Sequence, residues 1–429
     1  MLTVIKGGRV IDPGNLDDIL DIVIEDGNIV EIKQGALADD ENKESKIIDA
    51  SGKIVAPGLI DMHVHLRDPG YEYKETIETG SRAAAFGGFT AICCMPNTNP
   101  VNDSRQVTEY IIKKAVKADI VRVYPVAAIS KGLKGESLCE YGELKDAGAV
   151  ALSDDGNPVM NSQLMRRALE YSSRFNLTVI SHCEDFDLVS DGAMNEGAVA
   201  PKMGLSGIPN AAESIMVLRD ISLCELTGVS VHIAHVSTRE SVRAIRDAKK
   251  RGVPVTAETA PHYFSLTDAS VKDYNTNSKM NPPLRTEQDI EAICQGLVDG
   301  TIDVIATDHA PHSIIEKAVE FDQAANGIIG LETAVPLGLK LVETGIIDIT
   351  DLIEKMSKNP ARILGLKNGL EIGKTADITI IDPEISYCID ANRFQSLSRN
   401  TPFDGWDVKG KAVLTMVGGK IVFHDEHFV

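Results

Sequence analysis

Two histidines separated by one residue, His63 and His65, have the types and the spacing of a pair of metal ligands. They lie in the run LIDMHVHL (59–66), which alternates as a strand does, so both imidazoles project from one face. Two imidazoles at the carboxyl end of one strand are compact ligands for a divalent ion. Two surface or core histidines without a metal are the alternative, and this motif by itself does not decide between them.

Metal-binding side chains also stand at the ends of four later apolar, β-branched runs. The runs 149–153, 177–182, 229–235 and 302–307 lead to these residues: Asp154-Asp155, His182, His235 and Asp308-His309. Five strand ends that meet at one edge would supply four imidazoles and two carboxylates. This set is enough for two divalent ions, and its nitrogen and oxygen atoms favour zinc.

Some members of this set have ordinary structural explanations as well. Asp154 and Asp155 precede a Gly-Asn-Pro sequence and could serve only to form that turn. His232 and His235 compete within VHIAHVST, but they face opposite sides and His235 lies at the strand exit. We therefore take His235 as the ligand and His232 as a wall or supporting residue. Two more histidines near the same edge could ligate a metal or support its ligands: His262 and His309.

Eight apolar runs alternate with helical patterns through the middle of the chain. The predicted strands are 54–65, 89–95, 120–128, 149–153, 177–182, 229–235, 253–258 and 302–307. The predicted helices are 74–86, 104–117, 161–175, 211–226, 239–250 and 286–297, with 331–343 and 359–366 after the last strand. This order predicts an α/β fold, a (β/α)₈ TIM barrel, whose active site lies at the carboxyl ends of the strands. A doubly wound open sheet is the alternative, but its phosphate-binding glycine pattern is missing after the first strand.

The two ends of the chain are built alike from short strands around glycine turns. Gly-Gly pairs occur at 7–8 and at 418–419, and the polar stretch 35–44 is predicted to be a loop. Each end is too small to bury a core alone. We therefore expect residues 1–53 and 369–429 to form one small composite β-sandwich domain beside a barrel over residues 54–368. Two unrelated hairpins are the alternative.

The composition excludes several classes of partner. The formal net charge of the 429 residues is −20, so the surface should repel nucleic acids and anionic membranes. The sequence starts without a basic and apolar leader and contains no run of ~18 apolar residues, so we expect a cytoplasmic protein. The seven cysteines have no regular spacing and are expected to be reduced thiols.

Seven motifs, in this order and at these distances, resemble those of the type I bacterial dihydroorotases of the amidohydrolase superfamily. They are PGLIDMHVHLRDPG, CMPNTNP, ALSDDGNPV, ISHCED, IAHVST, KMNPPLR and ATDHAPH, and they span nearly the whole chain. The family reversibly cyclises N-carbamoyl-L-aspartate to L-dihydroorotate in pyrimidine biosynthesis. It uses a two-metal centre on a barrel flanked by a small composite β domain.

The resemblance implies a role for each candidate residue of the metal centre. The implied zinc ligands are His63, His65, Asp155, His182, His235 and Asp308. Asp155 would stand between the two metals, where related hydantoinases have a carboxylated lysine, because this chain has no lysine at the end of strand four. Asp308 would also be the catalytic residue, accepting a proton from the attacking water and delivering it to the ring nitrogen.

Substrate contacts are implied in the same way. The substrate carries a carboxylate, which a planar guanidinium such as that of Arg67 can bind through paired hydrogen bonds. The full implied set is Arg67, Asn97, Asn281, His312, Asn326 and Gly327. The pair Asn326-Gly327 departs from the family, which has Phe-Gly there, so a backbone contact can persist while the side chain changes.

Two other functions compete with this one. A hydantoinase or dihydropyrimidinase acts on substrates without the same carboxylate, whereas Arg67, Asn97 and Asn281 favour an acidic substrate. A non-catalytic barrel that supports aspartate transcarbamoylase would lack the metal histidines, which are complete here. An active enzyme that needs this partner to order its loops, such as 310–330, stays open. We expect a homodimer.

Overall fold

The computed structural model describes residues 2–35, 45–426 and 428. The loop predicted over 35–44 lies outside the described residues, apart from Gly35.

A parallel barrel forms the larger part of the described chain. Its eight strands are Leu59–Val64, Phe89–Cys94, Arg122–Ala127, Ala151–Ser153, Thr178–Ser181, Val231–Ile233, Val255–Thr259 and Val304–Ile305. They pair in chain order. A bridge between Val64 and His309, with the His65 N–H donating to the His309 carbonyl at 2.8 Å, joins the eighth strand region to the first. The predicted (β/α)₈ barrel is confirmed.

Helices separate the strands in the order that the sequence predicts. They are Ile77–Phe86, Arg105–Ala118, Tyr141–Ala147, Ser162–Ser172, Phe186–Val189, Ala200–Met203, Asn210–Thr227, Arg239–Lys250, Pro261–Ser265, Glu287–Val298, Ile314–Lys317, Ala334–Glu343, Ile349–Ile353 and Asn359–Leu364. The first begins later than the predicted residue 74 because Thr76 caps it: the Thr76 hydroxyl accepts the Thr79 N–H and the Thr79 hydroxyl accepts the Thr76 N–H.

The prediction of one continuous strand over 54–65 was wrong. The segment Ile54–Pro57 pairs with Leu2–Asp12 and Ile378–Cys388 in the second large sheet, and only Leu59–Val64 belongs to the barrel. The chain passes between the two sheets at Gly58, where a Cβ atom would collide with the side chain of Thr90. Only glycine fits this close approach.

Both ends of the chain share this second sheet, which rules out two unrelated hairpins. Its order is Lys420–His424, Asp407–Val417, Ile378–Cys388, Ile54–Pro57, Leu2–Asp12, Leu16–Glu25 and Asn28–Lys33, with Ser45–Asp49 parallel to Leu2–Asp12. Branched side chains form its core, among them Ile5, Val10, Ile22, Val55, Ile378 and Ile380. We call it the terminal sheet.

The terminal sheet is fastened to the amino-terminal side of the barrel by polar contacts. The Thr379 hydroxyl donates to the Gly88 carbonyl at 2.6 Å and accepts the Leu59 N–H at 3.2 Å. Arg122, on the third barrel strand, donates to both oxygens of Asp377 at 2.8 and 3.0 Å.

Within the described ranges, every helix is too short or too polar to cross a bilayer.

Candidate active site

The carboxyl ends of five barrel strands bring together the six side chains predicted as metal ligands. The first strand carries His63 and leads to His65, and the fourth, fifth, sixth and eighth strands lead to the others: Asp155, His182, His235 and Asp308. All six are buried. The sequence positions are far apart, but parallel strands of a barrel all end at the same rim.

Asp155 lies at the middle of this cluster. Its Oδ1 is 3.3 Å from His63 Nε2, 3.5 Å from His182 Nδ1 and 3.4 Å from His235 Nε2. Its Oδ2 is 3.5 Å from His65 Nε2. One carboxylate therefore faces four imidazoles. Two of them come from positions before residue 155 in the sequence and two from positions after it.

Asp308 completes the cluster from the eighth strand. Its Oδ1 lies 3.1 Å from His65 Nε2 and 3.5 Å from His63 Nε2. Burial by itself would raise the pKa of Asp308, but the charges of His63 and His65 outweigh it and hold that pKa below its usual value. The same competition, with His63, His182 and His235, holds the pKa of Asp155 well below its usual value.

Hydrogen bonds on the outer side of the cluster orient the imidazoles. His63 Nδ1 donates to Glu258 at 2.6 Å and His65 Nδ1 donates to Asn97 at 2.9 Å, which leaves both Nε2 atoms facing Asp155. His182 Nε2 donates to Glu184 at 3.0 Å, which leaves its Nδ1 facing inward. Carboxylate and amide partners of this kind fix the ring orientation of metal-binding histidines.

Sequence reasoning missed the two carboxylates among these partners, Glu258 and Glu184. Glu258 lies in the seventh strand near its carboxyl end, the same position that drew attention to the ligands on other strands. Glu184 stands two residues after His182, within the quoted motif ISHCED. A search for acidic residues at every strand end would have found both.

One histidine and one aspartate near the rim have other partners. His232 Nδ1 pairs with the Thr256 hydroxyl at 2.8 Å and its Nε2 with Glu258 at 3.2 Å, as expected for a supporting residue. Asp154 accepts the N–H groups of Ile129 and Ser130 at 2.8 and 3.0 Å, so it anchors the preceding loop.

His309 points away from the cluster. Its Nε2 donates to Glu75 at 3.3 Å and its Nδ1 accepts the Gly330 N–H at 3.1 Å, so both ring nitrogens are occupied. His262 is buried after the seventh strand, and burial lowers its pKa to about 4.

The inner atoms of the cluster fit a divalent metal ion. Among the described residues, His63 Nε2 and Asp155 Oδ1 are buried and have no hydrogen-bond partner, although they lie 3.3 Å apart. Two sets of donor atoms are close enough to hold an ion: His63, His65 and Asp155, and Asp155, His182 and His235. Imidazole nitrogen with carboxylate oxygen is a typical donor set for such ions.

Two of the predicted substrate-binding residues, Arg67 and His312, lie together beside the cluster. Arg67 Nε donates to the Pro311 carbonyl at 3.1 Å, and its Nη2 lies 3.4 Å from His312 Nε2. His312 Nε2 donates to the Asn326 carbonyl at 2.8 Å. Burial and the charge of Arg67 lower the pKa of His312 to about 2, so the ring is neutral.

The other predicted substrate contacts differ in how they are placed. Asn281 donates to Glu184 at 3.0 Å, and its buried Oδ1 has no partner among the described residues. Asn97 is occupied on its oxygen by His65. The side chain of Asn326 is exposed, whereas Gly327 is buried at φ 123°, where a Cβ would press on Ala310.

A (β/α)₈ barrel with a buried histidine and aspartate centre at its carboxyl rim, beside a sheet from both chain ends, defines a metal-binding enzyme of the amidohydrolase type. Comparison with known proteins narrows the class. A family model described as dihydro-orotase-like matches residues 52–241. A dihydroorotase from Desulforapulum autotrophicum is 58% identical over 426 residues, 99% of this chain and 100% of that protein. The chain belongs to the dihydroorotase family.

Other relatives and solved structures agree with this assignment. A dihydroorotase from Syntrophus aciditrophicus is 55% identical over 430 residues, again 99% of this chain and 100% of the relative. The solved structure of an L-hydantoinase (dihydropyrimidinase) from Arthrobacter aurescens has a TM-score of 0.88 at 27% identity, and the match covers 100% of this chain and 97% of that one. The fold is thus shared with hydantoinases, while the sequence is much closer to dihydroorotases.

Proposed function

We propose that this chain interconverts N-carbamoyl-L-aspartate and L-dihydroorotate, the reaction of its family. The observation that carries the proposal is that a group of possible metal ligands and a buried cation lie together at the barrel rim. The ligands surround Asp155 and include Asp308. The cation is the buried guanidinium of Arg67, which the charges of Asp308 and Asp155 stabilise. A hydrolytic centre beside a cationic anchor suits a cyclic amide that bears a carboxylate.

The cluster is proposed to hold two zinc ions. His63, His65 and Asp308 would serve one, His182 and His235 the other, and Asp155 would contact both, because the two donor sets share Asp155. When bound, such ions lower the pKa of water and polarise a carbonyl group. The oriented inner nitrogens of His63, His65 and His182 support this assignment.

Asp308 is proposed to move the proton. In ring opening, its carboxylate accepts a proton from the water that attacks the ring carbonyl carbon, and it then delivers that proton to the ring nitrogen as the amide bond breaks. In ring closure, a protonated Asp308 first gives its proton to an oxygen of the substrate carboxylate. It then accepts the proton of the carbamoyl nitrogen as that nitrogen attacks the carboxyl carbon, and passes it to the same oxygen, which leaves as water. One group serves as base and acid in both directions.

Arg67, His312 and Asn281 are proposed to orient the substrate. Arg67 uses Nε on the Pro311 carbonyl, so its terminal nitrogens can bind the substrate carboxylate. The neutral His312 ring and the unpaired Oδ1 of Asn281 offer further polar contacts. The pairing of Asn326 with Gly327 would act through the backbone, because the Asn326 side chain is exposed.

The test measures metal content and ring opening on the isolated chain. We expect about two zinc ions per chain and turnover of dihydroorotate that exceeds turnover of dihydrouracil and hydantoin by about a hundredfold, because only dihydroorotate offers a carboxylate to Arg67. Faster turnover of dihydrouracil would instead support the hydantoinase alternative.

A dependence on aspartate transcarbamoylase is the second candidate, and the loop after the eighth strand favours it. In this loop the side chains of Ile314 and Ile315 are 83% and 78% exposed, beside the residues assigned to the substrate. If this loop needs the partner, activity should be low for the isolated chain and rise when the transcarbamoylase is added.

We also propose that the protein is cytoplasmic and forms a homodimer. Light scattering on the purified chain would test the homodimer.

A further inference from the structure

One segment of the terminal sheet leaves that sheet and crosses to the rim of the barrel. It comprises residues 389–406, between the strands Ile378–Cys388 and Asp407–Val417, and we call it the crossing segment. Two buried acidic side chains fasten it to the barrel. Glu332 accepts the N–H groups of Gln395 and Ser396 at 2.8 and 3.0 Å, and Glu75 accepts the N–H of Leu397 at 3.1 Å.

Asn400, in the crossing segment, touches both parts of the chain that carry substrate contacts. It is only 4% exposed. Its Oδ1 accepts the His312 N–H at 3.1 Å, and its Nδ2 donates to the carbonyls of Ala310 and Gly327, each at 3.0 Å. Its own carbonyl accepts the Ile329 N–H at 3.0 Å.

These bonds fix the neighbours of Arg67 as well. Asn400 holds the backbone on both sides of Pro311, and the Pro311 carbonyl is the acceptor for Arg67 Nε. Gly327 also receives a bond from Lys317 Nζ at 3.0 Å, so the distinct effect of Asn400 is to join residues 310–312 to Gly327. A primary amide is needed, because it combines one acceptor with two N–H donors in one plane.

We propose that Asn400 is a positioning residue for substrate binding: its amide sets Arg67, His312 and Gly327 in the relative positions that receive the substrate. The terminal sheet thus contributes to the active site although its described strands pack on the amino-terminal side of the barrel. The inference rests on the proposed function, since Arg67 and His312 are the groups assigned to the substrate.

The test compares Asn400→Asp and Asn400→Ser with the control Asn392→Asp. Asn392 lies in the same segment, is exposed and donates only locally, to Asp390. Aspartate at position 400 keeps the acceptor for His312 but loses both donors and faces two carbonyl oxygens. We expect KM for dihydroorotate and for carbamoyl aspartate to rise about tenfold or more in both Asn400 variants, since bonds that position a charged group are lost. Turnover number and zinc content should stay within about threefold of wild type, and the control should match wild type.

The serine variant keeps the test decisive if the aspartate variant does not fold, because it removes the amide without adding charge. An unchanged KM in a folded variant would overturn the inference. So would a fall in turnover number with loss of zinc, or failure of both variants to fold, since each of these indicates a structural role. Inactivity of the zinc-loaded wild type, both alone and with added aspartate transcarbamoylase, would refute the proposed function itself, before any variant is measured.

Discussion

Three side chains of the candidate site stand on left-handed backbone. The φ angles are 61° at Arg67, 32° at His235 and 48° at Asp308. Such conformations cost L-residues about 1–3 kcal/mol each and persist only where the surroundings hold them. At Asp308 the preceding N–H, of Thr307, is bound by both oxygens of Asp61 at 3.2 Å, and the following residue is bridged to Val64. The strain therefore serves to aim these side chains into the site.

Replacement of Asp308 by asparagine separates chemistry from folding. Asparagine tolerates the positive φ, so the backbone should persist, but its amide cannot accept the proton. We expect the turnover number to fall by about 10²–10⁴-fold, the range for loss of a general acid and base, while the melting temperature falls by no more than the about 5 °C that loss of the metal would cause. Asp273→Asn, an exposed aspartate at φ 60°, is the matched control. Near-normal turnover by Asp308→Asn would contradict the assigned role.

Replacement of Arg67 by lysine tests the carboxylate anchor. Lysine keeps the charge but has no planar fork, so it cannot bind the Pro311 carbonyl and both oxygens of a carboxylate together. We expect KM to rise about ten- to a hundredfold, because hydrogen bonds to charged groups contribute about 1.5–3 kcal/mol. Initial rates over a range of substrate concentrations measure this, with the exposed Arg82→Lys as control. An unchanged KM would argue against the anchor.

At the scale of elements, the crossing segment depends on a carboxyl group with an unusual pKa. Burial raises the pKa of Glu332 to about 8 from its usual 4.5, against the opposing effect of the backbone N–H groups of Ser396 and Gln395. Above pH 4.5 the unfolded chain releases this proton, whereas the folded chain keeps it up to about pH 8. The contribution of Glu332 to stability is therefore full below pH 4.5 and declines as the pH rises through this window.

Glu332→Gln should remove this pH dependence, because glutamine keeps an acceptor for the two N–H groups and has no proton to release. The variant should gain stability relative to wild type from pH 5 to pH 8, by up to about 1.4 kcal/mol per pH unit. Urea unfolding at several pH values measures the difference, and the exposed Glu291→Gln should show none. A difference that does not change with pH would show that Glu332 is ionised in the fold.

At the scale of the whole molecule, the proposed metal centre should stabilise the barrel. Its ligands come from five strands, and a metal that binds only the folded chain raises stability by mass action. Removal of metal with a chelator should abolish activity and lower the melting temperature by about 5 °C. Zinc should restore both, and Asp155→Ala should show a much smaller response to zinc. Equal melting temperatures with and without metal would contradict a site built from these residues.

The sequence alone determined the barrel and the placement of the six predicted ligands at its rim. Both were predicted from local signals, because alternation identifies each strand and each ligand lies within a few positions of a strand end. His63 and His65 share a face whatever lies elsewhere, and the carboxyl ends of parallel strands must meet. Sheet membership is not local, so the run 54–65 was assigned to one strand, whereas in the structure it divides at Gly58 between two sheets.

Only the tertiary structure decided which groups support the ligands and the substrate contacts. Glu258 binds His63 because closure of the barrel leaves only the eighth strand between the seventh strand and the first, and no spacing in the sequence indicates that pairing. Asn400 reaches His312 from a segment 88 positions later because the terminal sheet returns the chain to the rim. Hydrogen-bond partners depend on distances in space, and those distances exist only once the barrel and the terminal sheet have packed together.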